Sequence, residues 1–354
     1  MITVLISVCN HAFFLSISCG KMTAIEEKIN PLQVNNLQTI RIDIMTTIHI
    51  GSRKSKLAMW QTDTVAAMLE KSGMETQISS METKGDKILD VSIAKIGSKG
   101  VFTEELEDQL SNGTTDIAVH SAKDMQSILP SGFELIAFTD REKSNDVLVS
   151  RNTNLDLTDT NKPIRVGTSS VRRIALLKHF YPHVETVEMR GNLQTRIQKM
   201  DAGDCDALML AYAGVKRMEY DDMIVKTFSE DEFIPPVGQG CIAIESATTI
   251  SDDKREKIRA CLNNPDSESC LLAERAYLRT MEGGCSIPAF GLAVLNGNDI
   301  VLRGGLASLD GKTVLIKTEK GPRDQADVIG ERLGKYILEN GGKEILADIK
   351  RIQG

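Results

Sequence analysis

The residue with the clearest potential for covalent chemistry is Cys285, which follows two glycines in the segment EGGCSIP. Gly283 and Gly284 remove steric bulk around the thiol and permit a backbone path that other residues resist. A free cysteine is most often a small buried apolar residue, so from the residues alone a buried role and a nucleophilic role both stay open for Cys285. We assign the buried role to Cys205, Cys241, Cys261 and Cys270.

Asp124 is the candidate for catalysis by a charged side chain. It closes the segment AVHSAKD, where a predicted strand ends, and Lys123 and Ser121 stand beside it. A carboxylate next to a cation and a hydroxyl can stabilise a transient cation or relay protons, provided that its pKa stays low. We therefore predict that Asp124 is catalytic, whereas His120 fits a structural and a functional role equally well.

Two segments, GTSSVRR and MRGNLQTR, place arginines where a predicted strand leads into a helix. Hydroxyl residues can cap such a helix, and its first N–H groups and dipole favour a bound anion. Arginine adds a permanently charged partner that binds carboxylate or phosphate through paired hydrogen bonds. One such segment is often no more than a capped helix, but two in one chain indicate anion binding. The candidate residues are Thr168, Ser169, Ser170, Arg172, Arg173, Arg190 and Arg196.

Further cations follow other predicted strands. Arg53 and Ser55 come after the first strand of the regular pattern, and Lys99 and Arg217 occupy predicted loops. We interpret the lysines on either side of Ser55 as solvated surface residues. Since the chain is acidic overall, cations gathered at strand ends indicate a ligand with several negative charges.

The composition excludes several classes of function. The net charge of −7 argues against nucleic acid as the main partner, because binding to a phosphate backbone needs a basic surface. The 7 cysteines are scattered without C-x-x-C or Cys/His metal spacing, which predicts a reduced, cytoplasmic protein without a metal site. No apolar run reaches the roughly 18 to 20 residues of a membrane span, so we expect no membrane partner.

These candidates must be positioned by the alternation of apolar runs and amphipathic segments that begins at Thr46. Such alternation is typical of α/β architecture with mainly parallel sheets, in which ligands bind outside the carboxyl ends of the strands. We predict strands at Ile48 to Gly51, Glu75 to Thr83, Thr114 to Ser121, Ile164 to Ser170, Val184 to Gly191, Cys205 to Gly214 and in VGQGCIAIE. Helices lie between them, the first at Lys56 to Glu70, and the sequence shows no internal repeat. The final ninety residues read differently, with a helix from about Ser267 to Met281, hairpins turning at Asn296-Gly297 and Asp310-Gly311, and two closing helices broken at Gly341-Gly342.

The pattern predicts three domains, the third a small α+β domain that carries Cys285. Residues before position 46 show no core pattern, so we expect a disordered extension, with Met45 as a plausible true start. The expected boundaries are 1–45 for the extension, 46–141 with 235–258 for domain 1, 142–234 for domain 2 and 263–354 for domain 3.

Nine segments, in this order, resemble the porphobilinogen deaminase family over the chain from about Ile48 to the C-terminus. They are GSRKSKLAMWQ, TKGDKILD, KIGSKGVFTEELE, DIAVHSAKD, VGTSSVRR, RGNLQTR, DALMLAYAGVKR, PPVGQG and EGGC. The resemblance implies a three-domain fold in which two α/β domains are similar to periplasmic binding proteins. Two departures, Ala122 and the pair Met125-Gln126, lie beside Asp124 and leave its chemistry unchanged.

The resemblance also implies a reaction. Four porphobilinogen molecules would be condensed head to tail with loss of ammonia, and hydrolysis would release hydroxymethylbilane, a step in tetrapyrrole and haem biosynthesis. Cys285 would hold a dipyrromethane primer through a thioether bond. Asp124 would assist deamination and stabilise the azafulvenium-like cation that results. Lys99 would belong to a mobile cover over the site, and the enzyme would act as a monomer.

Each substrate pyrrole bears an acetate and a propionate, which gives a physical reason for many cations around one cleft. By resemblance, the residues that bind these carboxylates are Arg53, Ser55, Lys123, Thr168, Ser169, Ser170, Arg172, Arg173, Arg190, Arg196 and Arg217.

Two rival functions belong to other classes. Two α/β lobes could form a noncatalytic receptor for a small anion, since fold alone does not decide function. A receptor has no need of Cys285 or Asp124, however. A thiol-transfer enzyme using Cys285 would need a second cysteine or a base nearby, and the chain contains no C-x-x-C.

Overall fold

The computed structural model of the chain describes residues 3–9, 12–18, 46–87, 103–282 and 287–353. The chain divides into an N-terminal unit, Met1–Thr46, and a body, Thr47–Gly354. In the N-terminal unit, strand β1 (Thr3–Cys9) pairs antiparallel with β2 (Ala12–Ser18). This hairpin lies within the predicted extension, whose disorder stays a prediction.

The described body contains strands of three sheets and the helices that pack on them. The strands are β3 (Thr47–Arg53), β4 (Glu75–Met81), β5 (Ile117–Ser121), β6 (Phe133–Phe138), β7 (Asp146–Val149), β8 (Arg165–Gly167), β9 (Glu185–Val187), β10 (Ala207–Ala211), β11 (Ile224–Thr227), β12 (Ile242–Ala247), β13 (Ala289–Asn296), β14 (Asp299–Ala307) and β15 (Val314–Pro322). The helices are α1 (Lys56–Lys71), α2 (Lys84–Lys87), α3 (Glu104–Ser111), α4 (Val171–Phe180), α5 (Leu193–Asp201), α6 (Tyr212–Arg217), α7 (Asp252–Leu262), α8 (Pro265–Thr280), α9 (Ala326–Ile337) and α10 (Lys343–Gln353).

Two of the sheets have one topology. Sheet 1 has the strand order β4-β3-β5-β12-β6, and sheet 2 has the order β9-β8-β10-β7-β11. In each described sheet the fourth strand in this order runs against both neighbours, and the other strands run in one direction. The prediction of α/β architecture with mainly parallel strands is therefore confirmed.

The chain passes twice between these sheets. The first connection joins β6 to β7, and the second joins β11 to β12, so the reversed strand of each sheet is the strand that the chain enters from the other sheet. Central strands are buried on both faces, as in the burial of every residue of β7 and β12. Apolar residues of α1, including Val65 and Leu69, cover Ile48 and Ile50 of sheet 1.

Sheet 3 is an antiparallel meander of β13, β14 and β15, against which α8 and α9 pack. The turns fall where Asn-Gly and Asp-Gly predict them, with a positive φ of 62° at Gly297 and 72° at Gly311. The two closing helices are separated at Gly341, which has a φ of 110°. The predicted α+β character of the C-terminal region is thus confirmed. No helix among the described residues is long and apolar enough to cross a membrane.

Helix starts follow the capping residues of the sequence. Ser55 begins α1, Ser170 begins α4 and Asn192 begins α5, and each side chain accepts a hydrogen bond from an N–H of the first turn. Because α4 and α5 start directly after strands β8 and β9, these caps place the arginine segments at one edge of sheet 2.

Candidate active site

A cleft of about 620 Å³ lies where the carboxyl ends of strands from sheets 1 and 2 face each other. Sheet 1 contributes segments after β3 and β5, and sheet 2 contributes segments after β8, β9 and β10. This is the edge at which α/β sheets bind ligands. The predicted site residues that line the cleft are Arg53, Ser55, Lys123, Asp124, Ser169, Arg173, Arg190 and Arg196.

Asp124 is exposed at the cleft on a short 3-10 turn, Ala122–Asp124, which follows β5 directly. The turn itself is fixed, since Ala122 and Met125 are buried and the Ala122 N–H donates to the Cys241 carbonyl at 3.0 Å. Gly238 lies against it with a φ of 80°, and a Cβ there would be 2.8 Å from the Ala122 carbonyl carbon. A rigid turn therefore presents a solvent-facing carboxylate.

Lys123 lies near charges of both signs. Burial lowers the pKa of Lys123, the Asp124 carboxylate opposes that change, and the Arg173 guanidinium adds to it. A buried ammonium group gains from an anion that enters the cleft. The electrostatics thus favour an anionic ligand although the chain as a whole is acidic.

Arg190 and Arg196 flank the turn that leads into α5. The Arg196 Nε donates to the Gly191 carbonyl at 2.8 Å, and burial together with Arg173 lowers the pKa of Arg196 to about 10. Gly191 has a φ of 116°, and a Cβ there would clash with Thr195 at 2.7 Å. Among the described residues, the buried Arg190 Nη1 has no hydrogen-bond partner. A buried donor without a partner is costly, so this nitrogen is a candidate to bind an acceptor group of a ligand.

The neighbouring arginines Arg172 and Arg173 bind the same buried carboxylate, Asp146. Arg172 Nη2 lies 2.6 Å from Asp146 Oδ2, and Arg173 Nη2 lies 2.7 Å from Asp146 Oδ1. Burial alone would raise the pKa of Asp146, but the two guanidiniums lower it to about 2. Both side chains are buried, and each Nη1 donates to a carbonyl, that of Met209 at 2.9 Å for Arg173 and that of Ile234 at 3.0 Å for Arg172. Of this pair, Arg173 lines the cleft.

The three hydroxyl residues before α4 have different partners. Thr168 is buried and its Oγ1 accepts from the Ser170 N–H at 3.2 Å, while Ser170 caps the helix. Ser169 lines the cleft, and its Oγ accepts from the Met189 N–H at 3.0 Å. The predicted cap at this helix is confirmed at Ser170, and Ser169 is the hydroxyl residue of the three that reaches the cleft.

Arg217 joins the two sheets behind the cleft. Its Nη2 donates to the Gly240 carbonyl at 2.7 Å, and its guanidinium carbon lies 5.4 Å from the centre of the Trp60 ring. Burial lowers its pKa. In this conformation Arg217 connects α6 and α1 to the second connection, and its carboxylate-binding role stays a prediction.

A smaller cavity of about 60 Å³ adjoins Asp124 and is also lined by Gln61, Ser121 and His120. The Gln61 Nε2 donates to Ser121 Oγ at 2.9 Å. His120 is buried, with its Nε2 3.0 Å from Glu245 Oε2, although the two atoms are not aligned for a hydrogen bond. Sequence reasoning did not single out Gln61 or Glu245, because a lone amide on a helix and a carboxylate on a strand have no motif of their own.

Two predicted site residues, Cys285 and Lys99, lie outside the described residues. Helix α8 leads towards Cys285 and ends at Thr280, and Glu282 follows with a φ of 49°. Cys205, Cys241 and Cys270 are buried as expected. The buried role expected for Cys261 was wrong: it is only half-buried, on α7 beside α1, where its Sγ donates to the Met68 carbonyl at 3.1 Å. The described residues contain no group of three or more His, Cys, Asp or Glu that could hold a metal.

The chain is similar to known proteins over most of its length. The model of "Porphobilinogen deaminase, dipyromethane cofactor binding domain" matches residues 48–256, and that of "Porphobilinogen deaminase, C-terminal domain" matches residues 268–339. The chain belongs to the porphobilinogen deaminase family. Relatives with this name include one from Desulfosudis oleivorans, 61% identical over 86% of this chain and 99% of its own, and one from Cytophaga hutchinsonii, 53% identical over 86% and 97%.

Membership in the porphobilinogen deaminase family makes the chain an enzyme, a transferase of tetrapyrrole biosynthesis. Solved structures with a similar course include the periplasmic aliphatic sulphonate binding protein SsuA from Escherichia coli, 11% identical over 67% of this chain and 70% of that one, with a TM-score of 0.37. A substrate binding domain of a putative amino acid transporter from Streptococcus pneumoniae is 14% identical over 61% and 90%, with a TM-score of 0.39. Scores this low assign no function to the chain.

Proposed function

We propose that the chain is a hydroxymethylbilane synthase, which condenses four porphobilinogen molecules on a covalently held dipyrromethane and releases the linear tetrapyrrole by hydrolysis. In each condensation the carbon–nitrogen bond of the substrate aminomethyl group breaks and ammonia leaves. A carbon–carbon bond then forms to the free α-carbon of the preceding pyrrole, whose hydrogen departs as a proton. The observation that carries this proposal is the exposed Asp124 carboxylate in a cleft otherwise rich in cations.

Asp124 has the position required to act on charge. When ammonia leaves, the substrate becomes a cation, and the exposed carboxylate stabilises it where it develops. The same carboxylate then accepts the proton that leaves the α-carbon. Because Asp124 stands on a turn held by buried residues on both sides, it needs little rearrangement to do either.

The cations of the cleft bind the carboxylates of the primer and of the growing chain. Arg173, Arg190 and Arg196 form a cluster on the sheet 2 side, while Arg53 and Lys123 face it from sheet 1. The bound dipyrromethane would supply the free pyrrole α-carbon to which the first substrate is joined, and we assign its attachment to Cys285. Lys99 remains our candidate for the cover over the site.

The three sheets suggest three domains with the boundaries predicted from the sequence, 46–141 with 235–258, 142–234 and 263–354. The two connections between sheets 1 and 2 fall close to these boundaries, which supports the division. We also propose a cytoplasmic, monomeric enzyme whose partner is the small molecule porphobilinogen, without a nucleic acid or membrane partner.

The intact mass of the purified protein tests the proposal, measured beside Cys285→Ser and a control, Cys261→Ser. We expect a mass excess of two linked pyrroles in the wild type and in Cys261→Ser, and none in Cys285→Ser. Brief exposure to porphobilinogen should add further pyrrole units to the first two proteins. If all three lack the excess mass, and the wild type takes up nothing after it is offered hydroxymethylbilane, the proposal is wrong.

A further inference from the structure

A buried arginine connects two parts of the proposed active site. It lies on the helix that leads to the proposed primer attachment site, and it contacts the segment that follows the Asp124 turn. Arg275 lies on α8 and is 7% exposed. Its Nη2 donates to the Gln126 carbonyl at 2.7 Å and approaches the Ser127 carbonyl at 3.4 Å. Gln126 and Ser127 follow Asp124 by two and three residues, so one side chain fixes the segment into which the catalytic turn continues.

A second contact of α8 supports the same turn. Leu271, one helical turn before Arg275, is fully buried in a cluster with Ala122 and Met125. These two residues lie on either side of Lys123-Asp124 in the sequence. The apolar contact and the arginine contact therefore hold both ends of the segment from Ala122 to Ser127 against one helix.

The hydrogen-bond partners of Arg275 are unusual for a buried arginine. Among the described residues it forms no salt bridge with a carboxylate, and burial lowers its pKa to about 10, an effect that Glu245 partly opposes. Its neighbour on the helix, Arg279, by contrast binds Asp327 at 2.6 Å within the C-terminal region. A buried guanidinium that is directed at two loop carbonyls, and not at a carboxylate, keeps a desolvation cost, which is consistent with a role in fixing the geometry of that loop.

The position of α8 gives this contact a functional meaning. The helix ends at Thr280, and its C-cap residue, Met281, is buried in the core of sheet 3. The chain reaches Cys285 four residues after Met281. One rigid helix thus contacts the Asp124 turn through Leu271 and Arg275 and leads at its end to the residue that we assign to the primer.

We infer that Arg275 is a positioning residue, which holds the Asp124 turn in register with the C-terminal region that carries the primer. The inference rests on the proposed role of Asp124. Arg275 does not touch the substrate; it acts by fixing the carbonyls of Gln126 and Ser127 and through them the orientation of Asp124. Misplacement of a catalytic group by about 1 Å can lower a rate by about 100-fold.

The test compares Arg275→Gln, Arg275→Lys and the matched control Arg279→Gln as primer-bearing holoenzymes. Intact mass gives primer content, steady-state kinetics give kcat and KM for porphobilinogen, and thermal unfolding gives stability. We expect Arg275→Gln to keep its primer, with kcat reduced about 10-fold or more and KM changed less than about threefold. Arg275→Lys, which keeps a positively charged donor group, should recover part of kcat. If the glutamine variant fails to fold, the lysine variant provides the test.

A double-mutant cycle with Asp124→Asn separates positioning from general support. If Arg275 acts through Asp124, Arg275→Gln lowers kcat in the wild-type background and has little effect on the residual rate of Asp124→Asn. Equal effects in both backgrounds, or a kcat of Arg275→Gln within about twofold of Arg279→Gln, would overturn the inference. An active Asp124→Asn would instead show that the proposed role of Asp124 is wrong, which is a distinguishable result.

Discussion

Replacing Asp146 by asparagine removes one negative charge that two buried guanidiniums share. The carboxylate is completely buried and accepts from Arg172 and Arg173, and also from the Gln239 side chain at 3.1 Å. Asparagine keeps the volume of the side chain but leaves two buried cations without their anion. We expect the loss of stability to be large for one substitution, because an unpaired buried charge is among the costliest defects in a protein.

Two routes give the magnitude. The fall in the pKa of Asp146 from 3.8 to about 2 corresponds to about 2 kcal/mol of stabilisation of the ionised form by the folded protein. Removal of one partner from a buried ion pair typically costs about 3–5 kcal/mol. We therefore expect Asp146→Asn to lower the free energy of unfolding by about 3 kcal/mol, measured by urea denaturation at pH 7.

The same pKa predicts a pH dependence. Because the pKa of Asp146 is lower in the folded than in the unfolded state, its contribution to stability is complete above about pH 5 and is lost as the pH falls from 3.8 towards 2. Asp146→Asn should therefore show a weaker loss of stability than the wild type across this acid range.

A matched control distinguishes the buried pair from ion pairs in general. Asp206→Asn removes the carboxylate that binds Arg165 on the surface, at 2.9 Å. Since exposed pairs contribute little, this variant should lose far less stability than Asp146→Asn. A loss below about 1 kcal/mol for Asp146→Asn, or one no larger than that of the control, would refute the reasoning.

Two further predictions concern the cleft. Gly238→Ala should lose about 1–3 kcal/mol of stability and reduce kcat, since a Cβ at a φ of 80° would press on the Asp124 turn. Gly73 has a φ of 83° and open space around it, so Gly73→Ala controls for backbone strain alone. Both variants are measured by denaturant unfolding and by steady-state kinetics. Arg173→Leu and Arg172→Leu should destabilise the protein to a similar degree, because both break the pair with Asp146, but Arg173→Leu should impair primer loading more strongly in intact-mass measurements. Equal loading of the two would contradict the separation seen in the cleft.

The sequence pattern predicted the elements with long periodic or strongly marked segments. Helix α1, the hairpin turns at Gly297 and Gly311 and the break at Gly341 are all found, because each depends on local chemistry. The strand predicted at Val184 to Gly191 is shorter, Glu185–Val187, since the chain turns to present Arg190. Strands β6, β7 and β11 were not identified, and no internal repeat was seen.

Two of the missing strands share a physical cause. Strands β7 and β11 have four residues each, too few for a period to show, and β7 is buried on every residue, so it has no alternation at all. The common topology of sheets 1 and 2 is a property of pairing between distant strands. Sequence similarity is not needed to produce it, because buried apolar runs of many kinds can fill equivalent strands.

The sequence predicted side chains at strand ends that line the cleft, but it could not show how burial distinguishes neighbouring side chains, and the roles of these residues stay predictions. The motif GTSSVRR gives Arg172 and Arg173 equal claims to a ligand, yet successive helical residues point about 100° apart. Both side chains are buried and both bind Asp146, but of the two only Arg173 lines the cleft. Their common partner, Asp146, lies in the segment SNDVLVS, which has no motif to mark it.

Two buried carboxylates contact the connections between sheets 1 and 2, and they explain how the protein can fold with so many cations near the cleft. Asp146 binds two arginines of sheet 2 and Gln239 of the second connection. Glu274, fully buried on α8, binds Arg141 of the first connection and accepts from the backbone N–H groups of Gly238 and Ala293 at 2.8 Å. Each carboxylate neutralises a guanidinium and ties a connection to a different part of the body. Arg196, whose pKa burial lowers to about 10, lines the cleft and forms no salt bridge with a carboxylate among the described residues, and we propose that its charge binds carboxylates of the substrate and the growing chain.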